Sequence, residues 1–253
     1  MYYIGVNFNA TLLTAGIVAK DGTIISKQTA LTLKNRKAEV ILKDIADLCI
    51  KLVSDVGLDM ENDIEYIGIA SAGIVDKDSG TIIYSSNLLE KEIKIREEIQ
   101  KYINKPVYVE NDANCYALAE SMFGEGKGYK NSVTIIIGRS IGAGIIVDDN
   151  IYRGAFYGSG EVGHQVIVFE GEKCKCGRNG CWEAYASATA LIRDAKIEVV
   201  RHPESEMYTM INGDLRLMSY EVPFNAAKKG DIWAKHIVNE YIKYVAVGLI
   251  NII

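Results

Sequence analysis

The chain lacks the features that would direct it to a membrane, to secretion or to nucleic acid. Its 253 residues carry a net charge of −5, so no excess of basic residues is available to neutralise phosphates. No basic segment precedes the apolar N-terminus, as a signal peptide would require. The longest apolar runs, at residues 133–137 and 245–253, are too short to span a bilayer. We therefore expect a cytoplasmic protein with no membrane partner, which could reach DNA only through another segment.

Cysteine is also scarce, yet it is clustered. Three of the five cysteines, Cys174, Cys176 and Cys181, lie within eight positions, and His164 precedes them. In a reducing compartment this clustering indicates metal binding rather than disulfides. Four such ligands with no open position predict a closed, structural zinc site. The alternative is a reduced cysteine cluster without metal.

The order of apolar patterns predicts an α/β fold. Alternation predicts strands at residues 2–8, 12–19, 23–33, 66–70, 106–109, 132–137 and 143–147. Helical spacing predicts helices at residues 38–56, 91–103 and 112–122, and a long helix capped by Asp231. The segments 15–21 and 143–149 are similar, which suggests either an internal repeat or a chance likeness between two hairpins. We predict two lobes, residues 1–112 and 113–253, with the C-terminal part of the fold missing because the chain stops inside an apolar helix.

Several acidic and amide side chains stand where a ligand could reach them. Glu161 and Glu183 flank the cysteine loop, and carboxylates held there would suit hydrogen bonds from several hydroxyls. Both could equally be solvated surface residues. Asn111 and Asp112 follow a predicted strand and begin a predicted helix, a junction where α/β folds bind ligands. Asp112 could be a general base toward a sugar hydroxyl, or simply a helix N-cap.

Two turns could face phosphates, because backbone amides in glycine-rich turns hold anions. They lie at residues 7–11 and 138–142. The first is poorly suited, since Phe8 and Ala10 stand where a phosphate loop needs glycine and no carboxylate is present for magnesium. The second turn fits the role better.

Taken together, these segments resemble the ROK family of repressors, open reading frames and kinases. The matching stretches are residues 67–69, 73–76, 110–114, 141–145 and 160–164, and the cysteine loop ending in Glu183. The combination of Glu-x-Gly-His with Cys-x-Cys-Gly-x-x-Gly-Cys-x-Glu is highly specific to that family. The resemblance implies an actin-like fold (ribonuclease H-like, hexokinase-like) with two lobes, a structural zinc loop and a sugar in the cleft.

The resemblance also implies roles for individual residues. Positions that contact the sugar match Asn111, Asp112, Glu161, His164 and Glu183, with Gly73 and Asn87 nearby. Positions that hold zinc match His164, Cys174, Cys176 and Cys181. His164 would bind the metal through one ring nitrogen and could face the sugar with the other. In family kinases, the residue matching Asp112 deprotonates the hydroxyl that attacks the γ-phosphate of ATP.

The sequence departs from the kinase pattern of the family. Asn7 stands where an aspartate ends the first strand, and the second turn reads Gly138-Arg139-Ser140 instead of Gly-Thr-Gly. These changes argue against ATP and Mg²⁺ as cofactors, since phosphoryl transfer depends on neutralising phosphate charge. We therefore expect a non-enzymatic role: the effector domain of a transcriptional regulator, similar to xylose-responsive repressors, that senses xylose or a hexose. It would form a homodimer and control DNA binding by a helix-turn-helix absent from this chain. The alternative is an ATP-dependent sugar kinase of the glucokinase or fructokinase type, with Asp112 as its catalytic base.

Overall fold

The computed structural model describes residues 1–9, 11–32, 36–85 and 92–253. The described residues of the first half of the chain form eight strands and three helices, in the order β1 (Tyr2–Phe8), β2 (Leu12–Ala19), β3 (Ile24–Leu31), α1 (Ala38–Asp55), β4 (Ile64–Ser71), β5 (Ile74–Asp76), β6 (Thr81–Tyr84), β7 (Ile93–Lys94), α2 (Ile95–Gln100), β8 (Val107–Asn111) and α3 (Asp112–Phe123). The predicted bounds of β1 and β2 are confirmed, and α1 begins at the predicted residue.

The second half begins with three strands and continues as helices. Its elements are β9 (Ser132–Ile137), β10 (Ile141–Val147), β11 (Asn150–Ile151), α4 (Glu183–Ala186), α5 (Ala188–Arg201), α6 (Glu206–Met210), α7 (Glu221–Lys228) and α8 (Ile232–Ile250), with single 3₁₀ turns at Val162–His164 and Leu215–Leu217. The predicted cap of α8 is confirmed, because the Asp231 side chain accepts the N–H of Ala234. No helix among the described residues is long and apolar enough to cross a membrane.

The largest sheet has five strands in the order β3-β2-β1-β4-β8. β2 pairs antiparallel with β1 and β3, whereas β4 runs parallel to both β1 and β8. Alternate residues of β1, such as Ile4 and Val6, are buried in one core with apolar residues of α1 and α2, as period-two alternation requires. In the parallel register Ser71 pairs with Phe8 on one side and with Asn111 on the other. The carboxyl ends of three strands therefore meet at one edge, and Asp112 follows directly.

The chain forms two compact units. One contains Met1–Thr134 and Gly144–Ser159, and the other contains Ile135–Ala143 and Gly160–Ile253. The helix α3 belongs to the first unit, because it contacts β4, β8 and β11 there. These two compact units are divided at residues other than 112/113. The boundary predicted at residues 112/113 concerns the lobes of the fold rather than the compact units, and it stays a prediction.

Trp182 is the centre of one core of the second unit. Its side chain is fully buried with Ile141 and Ala186, and its indole N–H donates to the carbonyl oxygen of Tyr244 at 2.8 Å. Gly248 of α8 lies directly beneath the indole ring. This packing holds the residues next to Trp182, namely Cys181 and Glu183, against the helical part of the unit.

Candidate functional site

The predicted metal ligands come together in the second unit. One ligand atom each from His164, Cys174, Cys176 and Cys181 lies within 4.8 Å of all the others. The Cys174 Sγ to His164 Nδ1 distance is 3.6 Å, and the Cys176 Sγ to Cys181 Sγ distance is also 3.6 Å. A tetrahedral zinc with bonds of about 2.3 Å to sulfur and 2.0 Å to nitrogen separates its ligands by roughly 3.5–3.8 Å. The four residues therefore fit zinc in chemistry, and the two 3.6 Å distances match the separation that a tetrahedral zinc imposes.

The loop between these ligands is shaped by glycine and by burial. Gly180 has φ +80°, and a Cβ there would collide with the carbonyl oxygen of Val168, so the close turn before Cys181 needs glycine. Burial raises the pKa of the Cys181 thiol to about 12. A metal bound here must therefore displace a proton that the thiol otherwise keeps at neutral pH.

Glu161, His164 and Glu183 lie beside the cysteine cluster. The Nε2 atom of His164 is 3.8 Å from Glu161 Oε2, while its Nδ1 faces Cys174. Glu183 is the first residue of α4, and its Oε2 accepts the backbone N–H of Ile141 at 3.2 Å. The two ring nitrogens of His164 thus face different partners, a cysteine sulfur and a carboxylate.

In the first unit, both polar atoms of the Asn111 side chain form hydrogen bonds. Its Nδ2 donates to the carbonyl oxygen of Gly73 at 2.8 Å, and its Oδ1 accepts the N–H of Asn114 at 3.1 Å. Gly73 has φ +115°, and a Cβ there would collide with the carbonyl oxygen of Tyr84, so only glycine fits. The remaining predicted sugar contact, Asn87, lies outside the described residues.

Asp112 is not the cap of α3. The cap is Asn111, whereas Asp112 Oδ1 accepts the neighbouring N–H of Ala113 at 2.9 Å. This corrects the N-cap interpretation of Asp112: both side chains are good caps, but the last strand residue reaches the helix amides first. Burial raises the pKa of the half-buried Asp112 carboxyl. A carboxylate with a raised pKa binds a proton more strongly, which suits a general base.

The carboxylate of Glu110, which was not among the predicted site residues, supports Asn111 and the start of α3. Glu110 Oε1 accepts the N–H of Asn111 at 2.9 Å and the Nδ2 of Asn114 at 3.0 Å. Its Oε2 is 2.7 Å from both the Nε and the Nη2 of Arg153. The stretch Glu-Asn-Asp-Ala-Asn contains part of this signal, but nothing in the sequence pairs Glu110 with a residue 43 positions away.

In the first of the two turns, residues 7–11, a side chain of the turn itself binds nearby hydrogen-bond donors. Asn9 Oδ1 accepts the N–H of Thr11 at 3.0 Å, the hydroxyl of Thr11 at 2.9 Å and the N–H of Leu12 at 3.0 Å. Ala10, which occupies an expected glycine position, lies outside the described residues. Among the described residues of this turn, the backbone amides of Thr11 and Leu12 are therefore already bound by the side chain of Asn9.

The second turn is partly occupied as well. Gly138 N–H donates to the Ser140 carbonyl oxygen, and Ile141 N–H donates to Glu183. The carbonyl oxygen of Arg139 accepts the hydroxyl of Thr189 at 2.7 Å. This turn is thereby tied to the helices α4 and α5, with two of its amides already engaged.

Comparison with known proteins agrees with these features. The sequence model of the ROK family matches residues 3–253. The glucokinase of Thermotoga maritima is 32% identical over 244 residues, which are 96% of this chain and 75% of that protein. The xylose repressor of Bacillus subtilis is 30% identical over 252 residues, covering 100% of this chain and 61% of the repressor. The chain belongs to the ROK family, which confirms the resemblance.

A solved structure extends the likeness to the fold. The ROK glucokinase from Streptomyces griseus, in complex with glucose and AMPPNP, has a TM-score of 0.83, 31% identity and coverage of 100% of this chain and 79% of that one. The fold is therefore the actin-like, kinase-type fold of the family, with mixed sheet and helices. A nucleotide analogue on that relative conflicts with the expectation that ATP plays no part. Glucokinases and xylose repressors both stand among the relatives, so similarity alone does not separate enzyme from regulator.

Proposed function

We propose that this chain binds a monosaccharide, through Asn111, Asp112, Glu161, His164 and Glu183, and acts as the sugar-sensing domain of a ROK regulator. The support for sugar binding is chemical. These side chains supply carboxylate and amide oxygens that accept hydrogen bonds from hydroxyls, and Asn111 and Glu183 are each held by backbone groups. The named relatives are sugar kinases and sugar-responsive repressors, so both branches of the family handle a sugar.

One observation favours sensing over phosphoryl transfer. The Asn9 side chain accepts the backbone amides of Thr11 and Leu12, so these two amides of the described part of the first turn are not free to bind ATP phosphates. Asn7, at the carboxyl end of β1, carries no charge with which to hold Mg²⁺. Both features of the first turn are a poor fit to a magnesium nucleotide.

In this proposal the sugar acts by preferring one conformation of the domain over another. Its binding shifts a population and thereby changes the DNA affinity of a homodimer through a helix-turn-helix that this chain does not contain. Zinc, when bound, would hold the loop between His164 and Cys181 and so keep Glu161 and Glu183 in place.

The test compares binding with turnover. The zinc-loaded protein is titrated calorimetrically with xylose, glucose, fructose, mannose and N-acetylmannosamine, and ADP release is followed with ATP and Mg²⁺ for each sugar. Saturable binding of one sugar without sugar-dependent ADP release supports the proposal. Sugar-dependent ADP release contradicts the sensing role, and no binding to any sugar contradicts sugar recognition itself.

A second candidate function is an ATP-dependent sugar kinase of the glucokinase or fructokinase type. The observation that favours it is Asp112, a half-buried carboxyl whose pKa is raised by burial. In a kinase this carboxylate would accept the proton of the sugar hydroxyl while that oxygen attacks the γ-phosphate of ATP. The relative with bound glucose and AMPPNP supports the same alternative.

A further inference from the structure

Glu110 and Arg153 form an ion pair directly behind the candidate sugar residues. The side chains are only 15% and 26% exposed, and both arginine contacts to Glu110 Oε2 measure 2.7 Å. Half-buried pairs of this kind differ from surface ion pairs, because losing one partner leaves a poorly hydrated charge.

The hydrogen bonds of Glu110 are fully used. A carboxylate offers about four acceptor positions. Two of them take donors from the start of α3, the N–H of Asn111 and the Nδ2 of Asn114. The other two take the Nε and Nη2 of Arg153. The carboxylate therefore connects Arg153 to the backbone of Asn111 and to the side chain of Asn114.

The segment that carries Arg153 is itself fixed to the first unit at a second point. Arg153 accepts the N–H of Ser159 through its carbonyl oxygen and donates from Nη1 to the Ile151 carbonyl at 3.3 Å. Tyr157, which has φ +57°, donates its hydroxyl to Asp78 Oδ2 at 3.0 Å. This second attachment holds the arginine at the end of β8 rather than in solvent.

We propose that Arg153, acting through Glu110, is a positioning residue for the sugar contacts Asn111 and Asp112. Without the guanidinium, water must solvate a half-buried carboxylate, and this water would compete for the hydrogen bonds that Glu110 accepts from Asn111 and Asn114. The amide that Asn111 presents would then lose its fixed orientation. The inference rests on the proposed sugar-binding function, because only a ligand at Asn111 and Asp112 would sense the change.

The experiment uses Arg153→Gln, the conservative Arg153→Lys and a matched control. The control is Arg36→Gln, since Arg36 is also 26% exposed and pairs with one carboxylate, Asp44, in the same unit. Two properties are measured in the full chain: hydrogen exchange of the backbone amides of residues 111–114 without sugar, and affinity for the sugar that the wild type binds. Thermal unfolding records the purely structural cost of each change.

We expect Arg153→Gln to speed exchange at residues 111–114 by at least about tenfold and to weaken sugar binding roughly 10- to 100-fold, as for the loss of hydrogen bonds to a charged group. Arg153→Lys keeps the charge and should recover part of both losses, and it carries the test if the glutamine variant does not fold. Arg36→Gln should lower the melting temperature without either effect.

Unchanged exchange in Arg153→Gln, or the same change in Arg36→Gln, would overturn the positioning role. A wild type that binds no sugar would overturn the proposed function instead. The exchange rates at residues 111–114 then still decide whether Arg153 orders this segment.

Discussion

At the scale of single residues, Asp112 shows how a functional group can work against stability. Its carboxyl is half-buried, and its Oδ1 accepts the backbone N–H of Ala113 at 2.9 Å. Burial raises its pKa in the folded state. Stability from this group is therefore fully present at low pH and is lost as the pH rises through the folded pKa. Ionising this carboxyl therefore costs more in the native protein than in the unfolded chain, which solvates the charge better.

The variant Asp112→Asn should gain stability relative to the wild type as the pH rises. The amide has nearly the same shape but no charge to bury, so its free energy of unfolding should equal or exceed that of the wild type at pH 7. The difference should shrink as the pH falls below the folded pKa of Asp112. Urea unfolding of both proteins from pH 3.5 to 7.5 measures it. A constant deficit of the variant across this range would contradict the sign of the shift.

The same substitution separates the two candidate functions. As a kinase, the variant should lose roughly 10²- to 10⁴-fold in ADP release, the usual contribution of a general base, while its sugar affinity changes little. As a sensor, the wild type shows no release that could be lost. Glu183→Gln is a useful comparison, because it alters the candidate sugar contacts without touching the base. Turnover that is equal in Asp112→Asn and the wild type would exclude Asp112 as the base.

Residue spacing predicted correctly that His164, Cys174, Cys176 and Cys181 come together, but it did not predict which residues support the candidate sugar contacts Asn111 and Asp112. The cysteines lie close in sequence, so their short loop has to bring them together, and His164 joins them. Glu110 and Arg153 are joined only by the fold, because β8 and the segment after β11 are distant in sequence. Asn111 and Asp112 are equally good caps by residue type, and only the end of the strand decides between them.

At the scale of elements, α8 depends on a glycine in its interior. Gly248 lies under the indole ring of Trp182, and an added Cβ would collide with ring atoms. Glycine in a helix normally costs stability relative to alanine, so its presence here reflects close packing with a side chain that is 0% exposed.

The variant Gly248→Ala should therefore destabilise the protein by about 1–3 kcal/mol, as overpacking of a core does. Gly5→Ala is the matched control, since a Cβ at Gly5 meets no atom within 4 Å. Guanidinium unfolding followed by tryptophan fluorescence (Trp182 and Trp233) and by circular dichroism measures both. A Gly248→Ala protein as stable as Gly5→Ala would show that the indole ring can move aside.

The cysteine loop should depend on metal for its order. If zinc ties His164 to Cys181, it also anchors the neighbouring Trp182 and Glu183. Removing it with a strong chelator should cost at least about 2 kcal/mol, because metal bound only by the native state adds directly to folding free energy. Sugar affinity should fall in the same titration.

Elemental analysis of the untreated protein should find one zinc per chain. The variant Cys181→Ser provides the control, since a protein that has lost a ligand should respond little to the chelator. Unchanged melting temperature and sugar affinity after complete metal removal would leave the cluster as a set of reduced thiols.

Among the elements, the structure corrects one prediction clearly. The helix predicted at residues 91–103 is limited to Ile95–Gln100, with residue 91 outside the described part of the chain. Ile93–Lys94, which the prediction placed in the helix, pair with β6 as the strand β7. Helical spacing of apolar residues was present, but partner strands decide where a short segment joins a sheet. The strand predicted at residues 23–33 is likewise shorter, at Ile24–Leu31, and residue 33 is outside the described part.

At the scale of the whole molecule, each compact unit is built from two separate stretches of the chain. The chain passes from one unit to the other after residues 134, 143 and 159, within β9, within β10 and after the segment that carries Arg153. A sequence can predict β9 and β10 as strands, and it did. It cannot show that each strand contributes to two units, because that depends on which side chains pack on either part of its length.

Ligand binding to the native state raises the free energy of unfolding by mass action, whatever the protein does with the ligand. A sugar at 100 times its dissociation constant should add about 2.7 kcal/mol, or roughly 5–10 °C in melting temperature for a chain of this size. Under the sensing proposal, AMPPNP with Mg²⁺ should add nothing further, because Asn9 already binds the amides of Thr11 and Leu12. Thermal unfolding with sugar, with nucleotide and with both measures the two contributions separately. A nucleotide shift that appears only with Mg²⁺ and grows with concentration would instead mean that the first turn opens to accept phosphate, and the kinase function would then be the better explanation.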